Sequence, residues 1–274
     1  MTYSGLFPRH APIFVLGAAR SGTSIVGTAI RDAAGLPGHH ESFLFSTGYL
    51  LMTALDRYWR EIGPPLERLA QDGRGDPDTE RSLAAFALDG LLRDVLRHFH
   101  ALATAHGEER WVDKTPDVYM VHATPILAQA YPRARFVFCR RSGVDVIDSR
   151  RRTHPEMTFA ENCADWARIL SDWQLARQHV EGRFVEVDQH DVAAHPEATA
   201  ESLAAVLDFD ARTAERIAEV FRTRRVSWTG RRAPEVRLAL AETDWSAAER
   251  ATFERVCGRM MRSYGYWRDG GASS

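Results

Sequence analysis

Pro12-Ile-Phe-Val-Leu-Gly17-Ala-Ala-Arg-Ser-Gly-Thr-Ser24 is the stretch on which the fold turns. Residues 12–16 form a short apolar run with β-branched Ile13 and Val15, the pattern of a buried strand, and Gly17 ends it. A helical pattern opens around Gly22 and continues to Ala33. The order is strand, glycine-bearing turn, helix. At such a turn successive backbone N–H groups and the positive end of the helix dipole converge on one point, which suits a phosphate. Gly17 and Gly22 have the spacing of a Walker loop, yet Thr23 stands where a nucleotide triphosphatase needs lysine to reach the terminal phosphates. Arg20 places a cation at the mouth of the turn, ahead of Ser21 and Gly22. Taken alone, the stretch fits either an anion cradle or a plain strand-to-helix turn.

Working outward, further strands are expected at Trp111-Val112, at Arg135-Phe-Val-Phe-Cys139 and at Arg183-Phe-Val-Glu-Val187. Helices are expected after the first two of these, from Pro116 to about Tyr131 and from Gly143 to Arg152. Strands alternating with helices predict an α/β fold, a parallel sheet covered on both faces. Longer helical patterns occupy Phe45–Arg60, Arg81–Ala105, Phe159–Val180, Pro196–Leu207, Ala211–Arg224 and Ser246–Tyr264. Residues 63–78, with Pro64, Pro65, Gly73, Gly75 and Pro77, read as a flexible connection between helices. The expected organisation is a single domain over residues 1–274, with a helical lid at 43–110 and a disordered tail at 270–274.

The composition narrows the function. The chain has 274 residues, with 35 Lys plus Arg against 37 Asp plus Glu, for a net charge of −2. Only Lys114 is a lysine, so 34 of the 35 cations are arginine. Such a balance gives no global attraction to nucleic acid or membrane, so anion binding must come from local clusters: Arg140/Arg141 with Arg150 to Arg152, Arg222/Arg224/Arg225, and Arg231/Arg232. With no apolar run of roughly 18 residues and no signal-like start, a cytoplasmic protein is expected. Three widely spaced cysteines, Cys139, Cys163 and Cys257, predict reduced thiols rather than a disulfide or metal framework, with Cys139 inside a strand. His98, His100 and His106 are expected to face solvent from a helix and not to hold a metal.

A second anion motif follows the strand that ends at Cys139. Arg141-Ser-Gly-Val-Asp145-Val-Ile-Asp-Ser149 has the form Arg-x-x-x-Asp-x-x-x-Ser and lies 121 positions after Arg20. Together with Arg20-Ser-Gly-Thr-Ser24, it resembles the sulfotransferases that use 3′-phosphoadenosine 5′-phosphosulfate (PAPS). Asp113-Lys-Thr-Pro116 is similar to an element of the bacterial and carbohydrate-type branch, and Tyr131-Pro-Arg-Ala-Arg-Phe136 to its usual approach to the third strand. Further similarity lies in Phe184-Val-Glu-Val187 with His195-Pro-Glu197, in Trp228-Thr-Gly-Arg231-Arg232 and in Tyr264-Gly-Tyr266.

The resemblance implies a P-loop-like three-layer α/β fold with a central parallel sheet, flanking helices and a helical lid. It implies that Arg20, Ser21, Gly22, Thr23 and Ser24 hold the 5′-phosphosulfate, and that Arg141, Ser149, Arg231 and Arg232 hold the 3′-phosphate. Sulfonate would pass from PAPS to a hydroxyl of a small-molecule or carbohydrate acceptor by in-line displacement, with Arg20 and Lys114 beside the sulfonate and the bridging oxygen and no metal. Gly35-Leu-Pro-Gly-His-His-Glu41 resembles the branch's Gly-x-x-Gly-x-x-Glu, which makes Glu41 the expected general base and His40 the runner-up. Phe43, Phe45, Tyr49, Tyr58 and Trp59 are candidates to line an aromatic acceptor cleft, although at helical spacing such residues are more often core. Two other classes stay open: a P-loop kinase-like protein, against which Thr23 speaks, and a non-catalytic nucleotide-binding module.

Overall fold

The computed structural model describes residues 3–71, 77–105, 107–224 and 236–267. In chain order its elements are β1 (Ile13–Gly17), α1 (Thr23–Ala34), β2 (Gly38–His40), α2 (Leu44–Gln71), α3 (Pro77–Ala103), β3 (Val112–Lys114), α4 (Val118–Ala130), β4 (Arg135–Arg140) and α5 (Gly143–Thr153). After these come α6 (Phe159–Ala176), β5 (Phe184–Asp188), α7 (Gln189–Ala194), α8 (Pro196–Leu207), α9 (Ala211–Thr223) and α10 (Ala247–Ser263). Short 3₁₀ turns cover Arg177–Val180 and Leu240–Glu242. The five strands are parallel in the order β2-β3-β1-β4-β5. This is the three-layer α/β arrangement expected from the alternation of strand and helix.

Side chains alternate across β1 because successive residues of a strand point to opposite faces. Ile13 and Val15 join Val26, Ile30, Val112, Val137, Val185 and Leu203, so α1, α8 and α9 cover that face. Phe14 and Leu16 join Phe136, Phe138, Trp166 and Trp173 on the other, beneath α4, α5, α6 and α10. Phe138 and Trp173 stack with ring centroids 4.6 Å apart. All three cysteines are free and buried, Cys139 within β4.

The structure corrects two readings of the sequence, adds a strand and chooses between two readings for Phe45. Helix α2 continues to Gln71 through Pro64 and Pro65, so the expected connection begins only beyond it; a proline weakens a helix by one missing donor and a clash but does not forbid it. Strand β2 was not foreseen, since Gly38-His39-His40 lacks an apolar pattern. His100 does not face solvent: it stacks on Phe7 at 3.8 Å, and its Nδ1 lies 3.0 Å from the Tyr131 hydroxyl. Burial, helped by the nearby His10, lowers its pKa to about 4. Phe45 belongs to the core, 3% exposed and edge-on to Phe14, while Phe43 and Tyr58 are exposed. The cause in both side-chain cases is long-range packing, of the 3–10 segment for His100 and of α2 against α4 for Phe45. Residues 270–274 lie outside the described residues.

The parallel register brings the C-terminal ends of β1, β2, β3 and β4 together, the edge where open α/β sheets bind ligands. Val15 pairs with Lys114, Lys114 with His40, and Gly17 with Cys139. The Gly17 junction tolerates no side chain. Its φ is +143°, and a Cβ there would lie 2.2 Å from the Cys139 carbonyl oxygen. Gly17→Ala should therefore destabilise the fold by about 3 kcal/mol or more. Urea unfolding midpoints test this; a shift under about 1 kcal/mol would contradict it.

Candidate active site

The turn after β1 is built to present donors. Gly22 caps α1 in the left-handed conformation, φ +87°, and offers the helix no side-chain cap. The first amides of α1 and its positive dipole end therefore face the turn without a carboxylate or hydroxyl from the cap. Ser21 is fully buried, and its Oγ has no hydrogen-bond partner among the described residues. Arg20 sits at φ +73°, a strained conformation for a long side chain.

Two guanidinium groups meet at this turn. Arg20 Nε donates to Ser149 Oγ at 3.1 Å, and Arg141 Nη1 donates to the Arg20 carbonyl at 3.3 Å. Arg141 Nη2 lies 3.5 Å from Asp145 Oδ1, while its buried Nε has no partner among the described residues. Burial is the largest influence lowering the pKa of each arginine, and for Arg20 the charges of Arg141 and Arg152 add to it. Clustered, partly desolvated cations of one sign are stabilised by an anion placed between them.

Lys114 ends β3 with its side chain 3% exposed. Its Nζ is 3.3 Å from Ser24 Oγ in the first turn of α1 and forms an ion pair with Glu41. The lysine stem crosses α1 at Gly27, where a Cβ would come 3.1 Å from Lys114 Cγ. Glu41, directly after β2, donates its backbone N–H to the Lys114 carbonyl at 2.8 Å, and its carboxylate is 48% exposed. Thus Arg20, Ser24, Glu41, Lys114, Arg141 and Ser149 form one contiguous group around the turn, with Ser21, Gly22 and Thr23 forming its floor. His40 lies among the charges of Arg31, Asp32, Lys114 and Glu41, and burial followed by Arg31 lowers its pKa. Arg231 and Arg232, like Trp228, fall outside the described residues.

Further residues support the turn, of which Arg140 and Arg150 belong to an arginine cluster marked in the sequence. Arg150, 2% exposed, donates from Nε to the Ala19 carbonyl at 3.1 Å and from Nη1 to Asp165 at 2.6 Å, fixing the turn from below. Trp166 Nε1 donates to the Arg141 carbonyl at 3.2 Å. Asp188, at the end of β5, accepts from Arg140 at 3.0 Å, from Arg237 at 3.2 Å and from the His190 amide at 3.0 Å. The cluster of Arg140 and Arg141 with Arg150 to Arg152 marked these arginines, while their partners Ala19, Asp165 and Asp188 are chosen by tertiary packing; Arg225, of another cluster, lies outside the described residues.

No helix among the described residues is long and apolar enough to cross a membrane. The described residues hold no group of three or more His, Cys, Asp or Glu that could bind a metal ion.

Solved structures similar to this chain include three sulfotransferases of low identity. The sulfotransferase domain of the Synechococcus PCC 7002 olefin synthase is 14% identical with a TM-score of 0.46, covering 95% of this chain and 97% of that one. The sulfotransferase STF9 from Mycobacterium avium is 14% identical with a TM-score of 0.47, covering 93% and 77%. The sulfotransferase domain from the curacin biosynthetic pathway is 13% identical with a TM-score of 0.49, covering 94% and 98%. No curated protein matches the sequence significantly. A model of the sulfotransferase family matches residues 12–213, which takes in the turn after β1, both halves of the Lys114–Glu41 pair and the whole Arg141–Ser149 motif. That match spans 202 of the 274 residues, and the chain belongs to the sulfotransferase family.

Proposed function

We propose that this sulfotransferase takes PAPS as donor and moves its sulfonate to a hydroxyl of a small-molecule or carbohydrate acceptor. The observation that carries the reading is the pair of guanidinium groups at the turn, Arg20 on Ser149 Oγ and Arg141 on the Arg20 carbonyl, beside the uncapped start of α1. A donor with a 5′-phosphosulfate and a separate 3′-phosphate needs two adjoining anion sites. The unpartnered Ser21 Oγ and Arg141 Nε are polar atoms that such a ligand would satisfy.

In this reading Ser21, Gly22, Thr23 and Ser24 hold the 5′-phosphate through backbone and hydroxyl donors. Arg141 and Ser149 hold the 3′-phosphate, joined by Arg231 and Arg232 from the segment outside the described residues. The acceptor oxygen forms a bond to sulfur as the bond from sulfur to the bridging oxygen breaks, and the electron pair leaves with the nucleotide phosphate. Lys114 and Arg20 stabilise the charge arising on the bridging oxygen, and the acceptor proton passes to the Glu41 carboxylate. The chemistry needs alignment and charge stabilisation, with no metal in the scheme.

The test combines calorimetric titration of adenosine 3′,5′-bisphosphate with transfer from PAPS to a panel of phenols, aliphatic alcohols and sugars. Nucleotide binding with turnover of one acceptor class is expected. Binding without turnover of any acceptor would favour a non-catalytic module. Arg141→Ala should weaken adenosine 3′,5′-bisphosphate by about 10²-fold and leave adenosine 5′-phosphate within about threefold. Equal losses for both nucleotides would remove Arg141 from the 3′-phosphate.

A further inference from the structure

The corner that carries Glu41 has an unusual backbone. Glu41 and Phe43 both have positive φ, +52° and +53°, and neither is a residue that adopts this conformation readily. Between them Ser42 donates from Oγ to Asp113 Oδ2 at 3.1 Å and accepts the Leu44 amide at 3.3 Å, the start of α2. Asp113 is fully buried, and its other carboxylate oxygen accepts from Thr115 Oγ1 at 2.7 Å.

The rest of the corner is tied to the same short motif. Glu41 N–H donates to the Lys114 carbonyl at 2.8 Å, and Ser46 Oγ donates to Asp117 Oδ1 at 3.0 Å. Asp117 in turn caps α4, accepting the Met120 amide at 2.6 Å. Three successive anchor points on residues 41–46 therefore meet three residues within 113–117. A strained backbone persists only where its surroundings over-determine it, and here the overdetermining partner is a carboxylate withdrawn from water. Burial raises the pKa of Asp113, opposed by its hydroxyl partners and by His39.

We propose that Asp113 and Ser42 are positioning residues for the transfer reaction: the Asp113–Ser42 hydrogen bond locks the strained corner so that the Glu41 carboxylate stays against Lys114 while its other side faces the acceptor. The inference rests on the reading of Glu41 as the base. In that arrangement Lys114 is the cation of the motif that acts at the site, and Asp113 acts only through the corner. A misplaced base costs rate without costing donor affinity, since the donor turn is held by other residues.

Ser42→Ala removes the hydroxyl with little change in volume and leaves the buried Asp113 still bonded to Thr115. Turnover of PAPS with the best acceptor of the panel should fall about tenfold in kcat, with the KM for PAPS unchanged within about twofold. Ser42→Thr, which keeps the hydroxyl, should restore most of the rate. Hydrogen exchange of the peptide containing residues 41–46 should accelerate in Ser42→Ala and return in Ser42→Thr, a readout independent of turnover. In a Glu41→Gln background Ser42→Ala should cause no further loss, because its route to the reaction has been removed.

Wild-type kcat and wild-type exchange in Ser42→Ala would overturn the inference while leaving Glu41 as base, provided Glu41→Gln is inactive. An equal loss from Ser42→Ala in both backgrounds would overturn it too, showing an effect that does not pass through Glu41. Full activity of Glu41→Gln would instead overturn the reading of the base, and the inference with it.

Discussion

Lys114→Ala should lower kcat by about 10²–10³-fold, corresponding to about 2.7–4 kcal/mol of lost transition-state stabilisation. The size follows from where the ammonium sits. Its Nζ lies 3.3 Å from Ser24 Oγ at the start of α1 and is paired with Glu41, in a side chain only 3% exposed. A cation fixed in such a place needs little reorganisation when charge arises beside it, and its field is weakly screened. The loss should appear in kcat, where the lysine meets the charge arising on the bridging oxygen. Adenosine 3′,5′-bisphosphate keeps that oxygen on its 5′-phosphate, so its affinity should fall too, by a smaller factor than kcat.

Arginine should not substitute for it. Gly27 is already close enough that a Cβ would come within 3.1 Å of Lys114 Cγ, and a planar fork needs more width than a compact ammonium at the end of that channel. Lys114→Arg should remain at least about tenfold below wild type. Folding should survive both changes, since Glu41 is half exposed and its carboxylate hydrates once the partner is gone. Thermal unfolding of each variant separates the two effects. Wild-type turnover in Lys114→Ala, or a fall in nucleotide affinity as large as the fall in kcat, would refute the assignment.

The lone lysine among 34 arginines is a case in which composition and structure meet. Composition marked Lys114 only as an exception, and the Asp113-Lys-Thr-Pro116 element gave it a setting. The parallel register then brings it between β1 and β2, in reach of both Ser24 and Glu41. The strands were legible because β1 and β4 carry apolar runs, as buried parallel strands do, and β5 alternates apolar with polar residues. β2 was not: an edge strand of three residues, Gly-His-His, has no apolar face to betray it. It earns its place through pairing with β3, an interaction across 74 positions that no local pattern encodes.

The same distinction runs through the candidate site. Arg20, Arg141 and Ser149 were legible because each belongs to a short motif with fixed spacing, and the fold brings Arg20 Nε to Ser149 Oγ across 129 positions. Arg150 was not separable from its neighbours. Arg150, Arg151 and Arg152 are alike in sequence, yet Arg150 is buried against the Ala19 carbonyl and Asp165 while Arg151 pairs with Asp244 and Arg152 with Asp148. Helical phase decides this, since consecutive residues on a helix point about 100° apart. The Ser42–Asp113 contact was hidden for a different reason: serine and aspartate are unremarkable in either segment, and only the strained corner gives their contact a use.

Glu41→Gln is the substitution that separates the two jobs open to this carboxylate. As proton acceptor, Glu41 should be close to indispensable, and replacement by an amide of nearly the same shape should lower kcat by about 10²–10⁴-fold. As a mere partner for Lys114 it should be replaceable, because glutamine still offers an oxygen to the ammonium. Donor affinity points in the opposite direction from rate. Removing a negative charge beside Lys114 leaves the turn more positive, so adenosine 3′,5′-bisphosphate should bind as well as, or somewhat more tightly than, it does to wild type. The expected signature is therefore a large fall in kcat with an unchanged or lower dissociation constant, a combination that unfolding or a disordered turn does not produce. His40 supplies the control. It lies among Arg31, Asp32, Lys114 and Glu41, so it is near enough to compete for the role, and with Glu41 as base His40→Ala should keep kcat within about threefold. Near wild-type turnover in Glu41→Gln together with a collapse in His40→Ala would transfer the role of base to the histidine.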